Sequence, residues 1–133
     1  MKVLVDTCVW SHALRHKKPD LEIEKALKEI IMDGRLAIVG PIRQEILSGV
    51  ATESQFESLK EHLSPFEDVL LQAYHFVKAA EFSNRCMRKG VQGSNTDFLL
   101  CSVAYLEKME IFTSDTDFVN YRKYLPIELF ERQ

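Results

Sequence analysis

Four acidic residues stand where a folding chain has least use for a charge. Asp6, Glu45, Asp97 and Asp115 lie just after or inside apolar runs, with Asp117 two places beyond the last. The settings are MKVLVDT, VGPIRQEIL, GSNTDFLLCSVA and IFTSDTDF. A buried, unpaired carboxylate costs free energy. A fold that gathers several of them needs a bound cation or raised pKa values. The first expectation is therefore a carboxylate metal site.

Hydropathy patterning places each acid on an element. Lys2–Val5 reads as a short buried strand and Thr7–Leu14 as the start of a helix. Asp20 caps a helix whose Ile23, Leu27, Ile30 and Ile31 recur at helical spacing, with Gly34 ending it. Leu36–Val39 reads as a second strand. Pro41 opens a helix that ends near Gly49. Thr52 with Gln55 reads as a capping box, before a helix that turns Phe56, Leu59 and Leu63 inward and breaks at Pro65.

The pattern further predicts a long helix from about Val69 to Lys89, stopped by Gly90, with Leu70, Tyr74, Val77 and Glu81 along one side. Ser94 caps a helix that is almost wholly apolar from Phe98 to Leu106, marking a central element. Glu110–Thr113 reads as a third strand, Thr116–Tyr124 as short helix or turn, and Ile127–Phe130 as an edge strand. Short apolar strands between helices indicate an α/β fold with a small, mostly parallel central sheet flanked by helices. In such sheets, sites form beyond the carboxyl ends of the strands. Asp6 and Asp115 follow strands, Glu45 lies in the helix after the second strand, and Asp97 opens the central helix.

The 133 residues suit one domain, 1–133. At 46% hydrophobic and 28% charged, the chain carries enough apolar side chains for a core, which excludes wholesale disorder. A net charge of -3 disfavours nucleic-acid binding by phosphate contacts alone, and suits a site that brings its own cations. The cysteines Cys8, Cys86 and Cys101 lack metal-ligand spacing and read as reduced core residues. No run reaches the roughly 18 apolar residues of a membrane span, and Asp6 interrupts the N-terminal stretch too early for a signal peptide. The expected location is the cytoplasm.

Each acid taken singly has an ordinary reading. Asp97 suits a helix first turn, where free amides favour acids. Asp6 can cap the following helix. Glu45 can be a solvated acid or a partner of Arg43 or a lysine, and Asp115 and Asp117 can form a turn. The set is harder to explain this way. Residues 97, 100, 101 and 104 share a helix face, so Asp97 heads a buried stripe of Leu100, Cys101 and Ala104. Clustered carboxylates suit hard divalent cations, which can acidify an attacking water and stabilise a leaving 3′-oxygen. This chemistry points to hydrolysis of phosphodiesters.

MKVLVDTCVW resembles the opening of PIN-domain ribonucleases, especially toxins of the VapBC toxin–antitoxin type. PIRQEIL, NTDFLLCSVA and TSDTDF resemble the remaining motifs, in order, along nearly the whole chain. The resemblance implies a PIN-like three-layer fold and a Mg²⁺- or Mn²⁺-dependent endoribonuclease using one or two ions. It implies Asp6, Glu45, Asp97 and Asp115 as catalytic, metal-binding residues, Asp117 as a weaker ligand, and Thr7 and Thr113 as supports of the acidic pocket. It also implies a specific structured RNA substrate, a cognate antitoxin that blocks the site, membership of a type II toxin–antitoxin pair, and a homodimer.

Arg15, Lys17 and Lys18 (beside His16), with Arg85, Arg88 and Lys89, are candidates for RNA contact, although a basic run more often forms a solvated face. Trp10 and Phe118 suit stacking on a base or, more simply, packing in the core or at an antitoxin interface. His12, His62 and His75 show no ligand grouping. Three rival readings remain. One is a PIN-fold RNA-processing or DNA nuclease outside a toxin–antitoxin pair. Another is a non-catalytic PIN-like binding module, which the complete acidic set disfavours. The third is a phosphatase-like enzyme with Asp6 as nucleophile, disfavoured because Thr7 and Cys8 follow Asp6 where a DxD motif is wanted.

Overall fold

A computed structural model of the chain describes residues 1–14 and 20–131. The elements run β1 (Val3–Val5), α1 (Thr7–Leu14), α2 (Leu21–Met32), β2 (Leu36–Ala37), α3 (Gly40–Leu47), α4 (Glu53–Leu63), α5 (Ala73–Met87), α6 (Asn95–Leu106), β3 (Glu110–Phe112), α7 (Asp117–Arg122) and β4 (Glu128–Leu129). The four strands form one sheet in the order β2-β1-β3-β4, and every pairing is parallel. Parallel neighbours cannot be joined by tight turns, so helices carry the chain back each time and flank the sheet. The expected α/β class is the one observed.

The sequence signals act locally as anticipated. Asp20 accepts the amides of Glu22 and Ile23 at the start of α2, and Thr52 accepts the amide of Gln55 before α4. Gly34 and Gly90 end α2 and α5 with φ of +69° and +75°, a region costly for residues with a Cβ. In α6 the residues Phe98–Ala104 are all buried, including Ser102, whose hydroxyl donates to the Leu99 carbonyl at 2.9 Å. That helix packs on more than one side, as its uninterrupted apolar run requires.

Three expectations need correction. The long helix begins at Ala73, four residues later than read. Before it, Asp68 bridges to Ile38, and Val69 N–H donates to the Ile38 carbonyl at 2.8 Å, so this stretch runs alongside the chain leaving β2. The anticipated stripe also faces outward: Leu70, Tyr74 and Val77 are mainly solvent-exposed. The buried face of α5 is His75, Ala79, Phe82 and Cys86, a stripe masked in sequence by a histidine and an alanine. Finally, β2 is two residues long, because Val39 already serves as the N-cap of α3.

Two polar devices hold this region. His75 is fully buried. Its Nδ1 accepts the Gln72 amide at 2.9 Å, and its Nε2 meets Glu107 at 3.2 Å, joining α5 to the end of α6. Arg43 donates from Nε to Asp68 at 3.1 Å, from Nη1 to the Leu63 carbonyl at 2.8 Å, and from Nη2 to the Phe66 carbonyl. One planar guanidinium thus closes the α4–α5 connection onto α3, two residues before Glu45. Arg43→Met keeps most of the packing stem and loses every donor. It is expected to lower the unfolding free energy by about 2–3 kcal/mol in urea titrations. Wild-type stability in this variant would mean that the clamp contributes nothing.

Candidate metal centre

The site begins where β1 and β3 end together. Their register pairs Val5 with Phe112, so the next residues, Asp6 and Thr113, leave the sheet side by side. The Asp6 amide extends the ladder to the Phe112 carbonyl at 2.9 Å. Asp6 is only 7% exposed. Oδ1 accepts the Thr7 amide at 2.8 Å, while Oδ2 accepts the Thr113 hydroxyl at 2.9 Å and the Cys8 thiol at 3.4 Å. Burial pushes the Asp6 pKa above the ordinary carboxylate value. The hydrogen bonds oppose the rise without cancelling it, and the charge of Asp97 adds to it.

The same threonine arranges the loop after β3. Thr113 Oγ1 accepts the Asp115 amide at 3.0 Å, and Asp115 Oδ1 accepts the Asp117 amide at 2.9 Å as α7 begins. Cys8 reaches this loop as well, its sulfur accepting the Ser114 amide at 3.4 Å. From the opposite side, the first turn of α6 delivers Asp97. Ser94 caps that helix by accepting the Asp97 amide at 3.1 Å, and the Tyr121 hydroxyl of α7 donates to Asp97 Oδ2 at 2.6 Å. Burial raises the Asp97 pKa, the Tyr121 and Ser94 hydrogen bonds oppose the rise, and the charges of Asp115 and Asp117 reinforce it. Burial and Asp97 also hold the Tyr121 hydroxyl well above its usual value, so it remains a donor at neutral pH.

One carboxylate oxygen from each of Asp97, Asp115 and Asp117 lies within 4.8 Å of the others. Three carboxylates this close can chelate a divalent cation. Asp6 and Glu45 are not part of this three-oxygen set. Asp6 is tied to it through Thr113. Glu45, exposed on α3, accepts the Thr7 hydroxyl at 2.6 Å and so stands next to Asp6. Arg43 is engaged elsewhere and leaves Glu45 unpaired with it. Among the described residues, none of the five acids forms a salt bridge. A cation is the natural balance for that charge.

The other candidates divide. Arg15, Lys17 and Lys18 lie outside the described residues. Arg85, Arg88 and Lys89 are exposed around the end of α5, with Arg85 5.4 Å from the Phe82 ring centroid. Trp10 and Phe118 belong to the core. Sequence reasoning missed Tyr121 and Gly93. Tyr121 stands four residues after Asp117, hence on the same face of α7, and that spacing was the available signal. For Gly93 no signal existed, since its neighbour is Tyr121, far along the chain.

The PIN domain family profile matches residues 3–124. No curated protein sequence matches the chain. Among solved structures, a chain of FitAcB from Neisseria gonorrhoeae aligns with a TM-score of 0.79 at 18% identity, covering 97% of this chain and 96% of that one. A chain of VapBC2 from Rickettsia felis, bound to a DNA fragment from their promoter, aligns with a TM-score of 0.78 at 22% identity, over 100% and 99% of the two chains. VapBC-5 from Mycobacterium tuberculosis, a member of the VapBC family of toxin-antitoxin systems, gives 0.69 at 15% identity, over 98% and 99%. At these identities the likeness is one of fold.

The raised pKa values carry a sign that can be tested. Folded Asp97 binds its proton more tightly than unfolded Asp97, so its contribution to stability is full at low pH and is lost as pH rises through the folded pKa. In EDTA near neutral pH, Asp97→Asn is expected to be more stable than wild type. The advantage should shrink as pH falls toward about 4. Thermal unfolding across that range measures it. A variant less stable than wild type at neutral pH would mean that Asp97 is not held against its charged form.

Proposed function

The chain belongs to the PIN-domain family, and from that premise we propose that it is a Mg²⁺- or Mn²⁺-dependent endoribonuclease, the toxin of a type II toxin–antitoxin pair. The observation that carries the reading is the convergence of Asp97, Asp115 and Asp117 beside the buried Asp6, without a compensating cation among the described residues. In this reading Asp6, Glu45, Asp97 and Asp115 are catalytic and hold the ions, Asp117 contributes more weakly, and Thr7 and Thr113 support the pocket.

Each side chain then has a defined task. Asp97, Asp115 and Asp117 could hold a divalent ion, which would supply an acidified water and offset the charge of a phosphodiester as its 3′-oxygen leaves. Thr113 and the Thr7 amide keep Asp6 in one orientation, leaving little reorganisation to the reaction. Thr7 holds Glu45 at the open side of the pocket, a position suited to orienting the attacking water. The carboxylates repel a phosphate until a cation is present, which makes activity strictly metal-dependent.

The partners follow from the same reading. The substrate is a specific structured RNA, and a small antitoxin covers the acidic pocket. The structural likeness to VapBC chains, over nearly their whole lengths, supports the antitoxin partner. A homodimer has an available face on α5, where Tyr74, Phe76 and Val77 are each more than half exposed. Among the described residues no helix is long and apolar enough to cross a membrane, and Cys8, Cys86 and Cys101 are free thiols. A cytoplasmic location is in keeping with those thiols.

The test uses antitoxin-free protein with total cellular RNA and Mg²⁺ or Mn²⁺, with cut ends mapped. Discrete cuts are expected, abolished by EDTA and reduced by roughly 100-fold or more in Asp115→Asn. Undiminished cutting by a folded Asp115→Asn protein would remove the assigned site. Metal binding without cuts in any RNA would favour a binding module.

A further inference from the structure

The Tyr121 ring is fully buried on α7, held by Phe98 at a centroid distance of 5.0 Å and edge-on by Phe118 at 5.1 Å. This leaves its hydroxyl one destination, Asp97 Oδ2. Directly against the hydroxyl is Gly93, in the connection before α6. A Cβ at position 93 would stand 2.2 Å from the Tyr121 oxygen, 2.8 Å from its Cζ and 3.0 Å from Phe98 Cε2. The Gly93 φ lies outside the left-handed range, so glycine serves here as space rather than as a conformational allowance. A side chain of any size would push the phenol off the carboxylate.

An aspartate carboxylate turns about a soft, broad torsion. Asp97 gets no help from the sheet, unlike Asp6, because it sits at a helix start. A short O–H···O⁻ bond to an ionised acceptor is among the stronger hydrogen bonds a side chain can make. It comes from an aromatic cluster that cannot itself turn. Asp115 and Asp117 approach from the loop that enters α7, the helix that carries Tyr121. The α7 helix and the loop that enters it therefore deliver two of the carboxylates and the group that meets the third.

We propose that Tyr121 is a positioning residue for the metal centre, setting the Asp97 carboxylate toward Asp115 and Asp117, and that Gly93 supplies the space this requires. The proposal rests on the reading of these acids as cation ligands. Tyr121 need not touch RNA or the ion. It acts through Asp97.

Mn²⁺ binding to the full chain, followed by calorimetry and by the EPR spectrum of the bound ion, tests this. Unfolding in EDTA is measured alongside. Tyr121→Phe keeps the ring and is expected to bind Mn²⁺ about 10-fold more weakly, as for loss of a hydrogen bond that orients a ligand. Its EPR lines should broaden while its unfolding midpoint in EDTA moves little. Gly93→Ala should weaken Mn²⁺ similarly, and the double variant should bind no more weakly than the weaker single, since both act through one hydrogen bond.

Wild-type Mn²⁺ affinity in Tyr121→Phe would overturn the proposal while leaving the metal centre standing. Fully additive losses in the double variant would also overturn it. Failure of the wild-type protein to bind Mn²⁺ would bring down the metal centre and this proposal together.

Discussion

In the parallel register of β1 and β3, the strands stop at Val5 and Phe112, and Asp6 and Thr113 emerge as neighbours. Every later contact in the acidic pocket builds on that adjacency. Thr113 donates to Asp6 with its hydroxyl and accepts the Asp115 amide with the same oxygen. Cys8 spans the two chain segments from beneath, reaching Asp6, Thr113 and Ser114. A one-residue slip in this pairing would turn Asp6 to the other face of the sheet and part it from Thr113. Val3, Leu4, Val5 and Ile111 are all completely buried, so both faces of the sheet are covered where the two strands run together.

The site opposes the stability of the fold that carries it. Burial holds Asp6 and Asp97 against ionisation, and Asp115 and Asp117 add repulsion at Asp97. Among the described residues the scaffold answers with donors rather than with positive side chains: two threonines, a thiol, a tyrosine and several backbone amides. That choice keeps the carboxylates ordered yet, among the described residues, without a paired cation. Arginine and lysine at the same places would quench the charge that a divalent ion needs. The nearest guanidinium in sequence to Glu45, that of Arg43, is turned to the carbonyls of Leu63 and Phe66 and to Asp68.

Much of this was legible in the chain itself. Asp20, Thr52 and Ser94 cap the helices they precede, because a short polar side chain before an apolar repeat has few other uses. The run from Phe98 could only be a helix packed on several sides. The hidden features depend on contacts far apart in sequence. The start of α5 is delayed because residues near 68 are drawn to Ile38 and Arg43, which no local propensity reveals. The stripe of α5 was misread because His75 occupies a buried position that only Gln72 and Glu107 make tolerable. The closeness of Asp97 to Asp115 was suggested by topology and Tyr121 by its spacing from Asp117, whereas Gly93 becomes visible only once α7 lies against the start of α6.

The central claim is that Asp97 and Asp115, with Asp117 contributing more weakly, gather a divalent cation beside Asp6 and Glu45, and its most direct test is anomalous diffraction from crystals soaked in Mn²⁺. The account predicts a Mn²⁺ peak among these three carboxylates, with waters completing its coordination and Asp6 and Glu45 at its edge. The absence of a peak there at saturating Mn²⁺, with the carboxylates instead turned apart or paired with lysine or arginine side chains, would contradict it.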